Sequence, residues 1–165
     1  MAPAALITEP GRMPWLKAVA IGVALLLVPL AWWTALWLAG TRVPAPVPSG
    51  LSMTLIVTAA IVVAPLLETA VLVVLHWLMV LRFGADRSTF VLAAMAAAVM
   101  AHLPITLVRT PVTAAIFVVF ALQYAGWFGA RGWRTAFLGT ALAHAVYNAG
   151  SLTLSPLWAA LLRPA

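Results

Sequence analysis

The sequence contains no cysteine. That excludes disulfide bridges, thiolate metal sites and a cysteine nucleophile. Acidic residues are nearly as scarce: three Asp and Glu stand against nine Lys and Arg, and charged residues make up only 7% of the chain. Soluble domains carry about 25% charged residues, so this chain has too little charge to cover a water-facing surface. Asparagine and glutamine occur once each, at Asn148 and Gln123. The polar side chains that remain inside apolar runs are therefore few enough to be taken one by one.

Hydrophobic residues are abundant, at 65% of 165 positions, with a mean hydropathy of +1.13. The length suits one compact domain over 1–165, and the apolar runs reach the roughly 20 residues that a bilayer crossing needs. The net charge of +6 is carried by basic residues scattered singly at segment ends. Such a distribution fits topology signals and lipid headgroup contacts, not a nucleic-acid groove. The expected partner is membrane lipid, with no nucleic acid.

Clusters of Arg, Pro and Gly break the hydropathy and define an all-α, polytopic transmembrane bundle of about five spans. The spans are expected at about 17–39, 52–81, 89–108, 112–128 and 135–154, followed by a short apolar helix over Leu157 to Leu162 that either lies along the interface or extends the fifth helix. The first run is too long for the 7–15-residue core of a signal peptide and reads as a retained helix. The Pro44–Gly50 stretch is a loop, because its prolines cannot continue a helix. With the N-terminus in the cytoplasm, Arg12, Lys17, Arg82, Arg87, Arg131 and Arg134 fall inside, and only Arg42 and Arg109 fall outside. The positive-inside rule favours that orientation, and the expected location is the bacterial cytoplasmic membrane. Trp15, Trp37, Trp77, Trp127 and Trp133 lie near the span ends, as interfacial belts do.

Glu68 is the only acid within a span. Carrying a charge to that depth costs about 2.5–3.5 kcal/mol, so the residue is a candidate for function. His102 belongs to the third span, and His144 and Asn148 to the fifth, where a separation of four stacks them on one helix face. Counted at 1.5 Å per residue from the expected cytoplasmic ends, Glu68, His102 and Asn148 lie ~21 Å deep and His144 ~15 Å deep. Separate helices thus carry rare polar groups to one level. Pro65 and Pro104 fall within a turn of Glu68 and His102, and each removes a backbone donor. Freed carbonyls in a lipid layer are tolerated only against protein or a water-filled cavity. His76 reads as interfacial, Gln123 as a helix-packing amide and Arg109 as a loop residue.

A carboxylate, two imidazoles and an amide suit hydrolysis of an amide bond by activated water. Glu68 can act as general base and return the proton to the leaving amine, with a His helping to orient the water. The second His and the Asn amide can donate to the tetrahedral oxyanion. No serine is placed to compete, since Ser52, Ser88, Ser151 and Ser155 all lie near helix ends.

The segments Ala64-Pro-Leu-Leu-Glu68-Thr, Met100-Ala-His102-Leu and His144-Ala-Val-Tyr-Asn148-Ala-Gly resemble the CPBP family. These are the CAAX-processing and bacteriocin-processing intramembrane proteases, with motifs EExxxR, FxxxH and HxxxN. The likeness covers about 52–154 and leaves the helix at 17–39 as an N-terminal addition. It implies that Glu68 and His102 activate the water, that His144 and Asn148 form the oxyanion hole, and that no metal takes part. The second Glu of the family motif is Thr69 here, its Arg is Val73, and the Phe before the His is Ala98. The implied substrate is a peptide or protein cut near the membrane, lipidated or bearing a leader or sorting signal. Other classes remain open. Glu68, His102 and His144 have the chemistry of three zinc ligands, although not in HExxH spacing. The same scaffold also suits a non-catalytic immunity or chaperone-like protein, and one carboxylate suits a small proton-coupled transporter, for which no inverted repeat is visible.

Overall fold

The computed structural model describes residues 4–41, 52–103 and 107–161, with the backbone alone beyond Leu154. Every regular element among them is helical. A short α1 (Ala5–Thr8) precedes α2 (Pro14–Ala24) and α3 (Leu27–Leu38). Next come α4 (Met53–Thr58), α5 (Ala64–His76), α6 (Arg87–His102), a 3₁₀ turn at Leu107–Arg109 and the long run α7 (Thr110–Leu161). Three helical runs are long and apolar enough to cross a membrane: Pro14–Leu38, Met53–Arg82 and Leu107–Leu154. The 16-residue α6 is apolar but shorter.

Local chemistry explains where these elements begin and break. The first run was expected to be one helix, yet it divides between α2 and α3. Pro29 has no N–H for the Leu25 carbonyl, which instead takes a tighter bond from Val28 at 3.1 Å. The run Met53–Arg82 matches its expected bounds but contains π-helical turns at Ala59–Val63 and Trp77–Arg82. Its first turn is capped by the Ser52 hydroxyl, which accepts from the Leu55 N–H at 3.3 Å. The third helix starts at Arg87, where the Asp86 carboxylate accepts from the Thr89 N–H at 2.7 Å. It ends at His102, short of the expected Val108. Pro104 lies outside the described residues, so its expected effect on this helix does too.

The expected fourth and fifth helices form one run broken at Gly132, whose φ of +78° is a left-handed value that glycine adopts freely. Two contacts show that the run doubles back there. The Phe120 and His144 rings are 4.6 Å apart, and Trp127 packs its ring against the bare Cα of Gly139. The two arms, residues 110–131 and 133–161, are therefore antiparallel. The C-terminal stretch extends the fifth helix, one of the two paths expected for it: helix continues through Pro156 to Leu161. Proline at that point does not stop it.

The core lies where α2, α5, α6 and both arms of α7 meet, and includes Ala18, Leu72, Phe90, Ala94, Phe120, Tyr124, Trp127 and Ala143. Large apolar side chains such as Leu67, Val71, Val74 and Trp77 point outward. A water-soluble domain rarely exposes apolar patches of that extent, whereas a lipid-facing one requires them. Of the five expected belt tryptophans, Trp15, Trp37, Trp77 and Trp133 are exposed. Trp127 is not: it is fully buried and its Nε1 donates to the Ile7 carbonyl at 2.9 Å. A buried indole needs such a partner, and the N-terminal segment supplies it.

Candidate active site

Helical periodicity sets which faces turn inward. On α5 the buried positions are Pro65, Thr69, Leu72 and His76, a stripe of alternating three- and four-residue steps against α7. Glu68 flanks this stripe. On α6, Phe90, Ala94 and Ala98 are buried at four-residue steps, and the next step is His102. In the second arm of α7, Thr140 and His144 continue the same logic, with Asn148 one turn beyond.

These faces bring the three ionisable side chains together. The Nε2 of His144 lies 3.6 Å from Oε2 of Glu68, and the Nε2 of His102 lies 4.0 Å from Oε1. The carboxylate is thus flanked on both sides by imidazole. Side-chain exposure grades from 6% for His144 to 27% for Glu68 and 35% for His102, so the cluster opens on the His102 side. The Nδ1 of His102 is 2.8 Å from the Ala98 carbonyl. A carbonyl only accepts, so Nδ1 carries a proton and a neutral His102 presents the Nε2 lone pair toward Glu68.

Asn148 is engaged differently. Its Nδ2 donates to the Ala60 carbonyl at 2.7 Å. The π-helical turn makes that carbonyl available, because the Ala64 N–H bonds Ala59 and the next residue, Pro65, has no N–H to give. A freed carbonyl near Pro65 was expected, and its partner turns out to be the amide of Asn148. The amide still has a second N–H.

Two aromatic residues of the site had no motif signal. Phe117 stands 6.0 Å from the His102 ring and 5.8 Å from the His144 ring, and Phe120 lies 4.6 Å from His144. They belong to a uniformly apolar stretch, and only the hairpin turn at Gly132 aims them at the cluster. Ala98 is also revealed as the carbonyl partner of His102, a backbone role that its side chain cannot signal.

Other expectations resolve outside the cluster. His76 is packed inside the protein. It is buried among the rings of Phe90, Tyr124 and Phe128, at 5.1, 5.3 and 4.6 Å. Eight residues of α5 separate it from Glu68, and Arg109 is exposed on its 3₁₀ turn. Among the described residues no group of three His, Cys, Asp or Glu is arranged to hold a metal ion. Comparison with protein-family models, with curated proteins and with solved structures finds no match for this chain.

Proposed function

We propose that this chain is an integral membrane endopeptidase of the CPBP type, hydrolysing a peptide bond near the membrane with Glu68 as general base. The observation that carries the reading is one carboxylate set between His144 at 3.6 Å and His102 at 4.0 Å, each from a different helix. A water beside Glu68 and His102 gives its proton to the pair as its oxygen attacks the scissile carbonyl. The tetrahedral oxyanion takes hydrogen bonds from the His144 ring and the second amide N–H of Asn148, and Glu68 delivers the proton to the departing amine. The bond of Asn148 to Ala60 supports a positioned amide, and Phe117 and Phe120 support fixed imidazole planes.

The bundle crosses the bacterial cytoplasmic membrane five times, counting α6 and the two arms of α7 separately, with the N-terminus in the cytoplasm. The substrate is a membrane-proximal peptide, lipidated or carrying a leader or sorting signal. Terminal proteomics of cells expressing wild type or Glu68→Gln tests the reading. A new N-terminus present only with wild type is expected, and its persistence with Glu68→Gln overturns the mechanism.

A further inference from the structure

The interior next to the Glu68 cluster is not apolar throughout. Thr69, Gln123 and Thr140 come from α5 and the two arms of α7, and they are 1%, 0% and 0% exposed. Among the described residues, Thr69 Oγ1, Thr140 Oγ1 and both amide atoms of Gln123 have no hydrogen-bond partner. The usual outlet for a threonine in an apolar helix is the carbonyl four residues back. Thr8 and Thr153 take it, at 3.0 and 3.1 Å, but Thr69 and Thr140 do not. Gln123 was expected to be a helix-packing amide; it is buried between helices, and among the described residues no group bonds it.

The helix register sets these groups at neighbouring levels. Thr69 directly follows Glu68. Phe120 faces His144 and Trp127 faces Gly139, so Gln123 and Thr140 share the step between those pairs. Each lies ~4–6 Å along its helix from the cluster. One step further, Tyr124 meets the ring of His76. Beyond it is a cavity of about 240 Å³ lined by His76, Arg87, Phe90 and Phe128 among others. At the opposite side the buried Oε2 of Glu68 also has no hydrogen-bond partner.

We propose that Thr69, Gln123 and Thr140 bind internal water, forming a hydrated layer between Glu68 and the cavity at His76 and Arg87. The donor and acceptor inventory suits this ligand. Two hydroxyls, one amide and a carboxylate oxygen lie at adjoining levels with donors and acceptors unspent among the described residues, and a buried water takes two to four such partners. Three separate helices orphaning polar groups at adjoining levels is otherwise contrary to how interiors are built. The layer stands on this geometry alone. Its use as the supply of hydrolytic water, arriving from the Arg87 end instead of from lipid, rests on the peptidase reading.

Radiolytic hydroxyl-radical labelling of the purified full chain, read by mass spectrometry, tests it. Radicals born from bound water mark buried neighbours, here Phe120 and Tyr124, which are 0% and 1% exposed. Both are expected to be labelled in wild type and in Thr140→Ser. Labelling is expected to fall to background in Gln123→Met with Thr140→Val, and partly in Thr140→Val alone if the double variant does not fold. Silence of Phe120 and Tyr124 in wild type while exposed Phe83 is labelled overturns the proposal, as does labelling unchanged by the substitutions. Glu68→Gln retains the label, so failure of the peptidase reading and failure of the water layer give different results.

Discussion

The carbonyl of Ala60 ties residues from distant parts of the chain into one local problem of hydrogen bonding. Pro65 denies it a backbone donor and Asn148 supplies a side-chain one at 2.7 Å. Asn148→Ala leaves the carbonyl unbonded within an apolar layer, and is expected to destabilise the protein by about 1–2 kcal/mol in denaturant or thermal unfolding. Pro65→Ala restores a main-chain N–H. In that background the Asn148→Ala penalty should shrink by roughly 0.5–1 kcal/mol, a coupling that a double-mutant cycle reads directly. Under the proposed peptidase mechanism, Glu68→Gln and His102→Ala act on chemistry instead. Each is expected to slow cleavage about 100- to 10,000-fold, with little change in unfolding. At this scale the sequence was informative wherever a residue type was rare. Glu68, His102, His144 and Asn148 stood out because so few polar groups share their runs. Phe117, Phe120 and the Ala98 carbonyl did not, because an aromatic or alanine in an apolar run carries no local mark of what it will face.

Among the elements, α6 shows most clearly how ends are set. Asp86 caps it, and bonds from the Thr89 backbone hold its carboxyl below the usual carboxylate range. A depressed pKa means the cap contributes above the unfolded value and is lost as pH falls through the folded one. Protection of the Thr89 amide, its exchange rate relative to the intrinsic rate at each pH, is therefore expected to fall as pH drops into the acid range, and Asp86→Ala should abolish that change in protection. The close crossing of α2 with α7 sets a second test. A Cβ at Gly22 would overlap the Ala143 carbonyl, which is backbone and cannot swing away. Gly22→Val is expected to cost about 1–3 kcal/mol and to shift the neighbouring His144 away from Glu68, lowering activity as well. Helix existence was legible from hydropathy, since apolar length is a property of composition. The turn at Gly132 was legible too, since it falls within the break expected between 128 and 135. The break between α2 and α3 and the early end of α6 were not, because hydropathy averages over single positions such as Pro29.

For the whole molecule, aliphatic side chains such as Leu67, Val71 and Val74 cover the outside, while Thr69, Gln123, Thr140, His76 and His144 lie within beside the apolar core. The N-terminal segment is fastened to the bend of α7, where Arg131 donates to the Gly11 carbonyl at 2.9 Å and Trp127 to that of Ile7. Phe83 and Ala130 therefore lie at the same end as the N-terminus. The absence of cysteine makes labelling simple. Phe83→Cys and Ala130→Cys are expected to react with an impermeant thiol reagent from the same side of the membrane as an N-terminal tag, and labelling from opposite sides would contradict the proposed crossing pattern. Composition announced the lipid-facing exterior from the start. It gave no hint that the first residues would be anchored by the last hairpin, because a contact spanning 120 positions leaves no periodic trace.

That anchoring has a consequence for synthesis. Ile7 and Gly22 leave the ribosome long before Trp127 and Ala143 exist, and contacts so distant in sequence form late. His144 is carried on the same closing hairpin. A nascent chain thus holds Glu68 and His102 without their third partner, and the cluster is completed by the same event that seals the two ends of the molecule together.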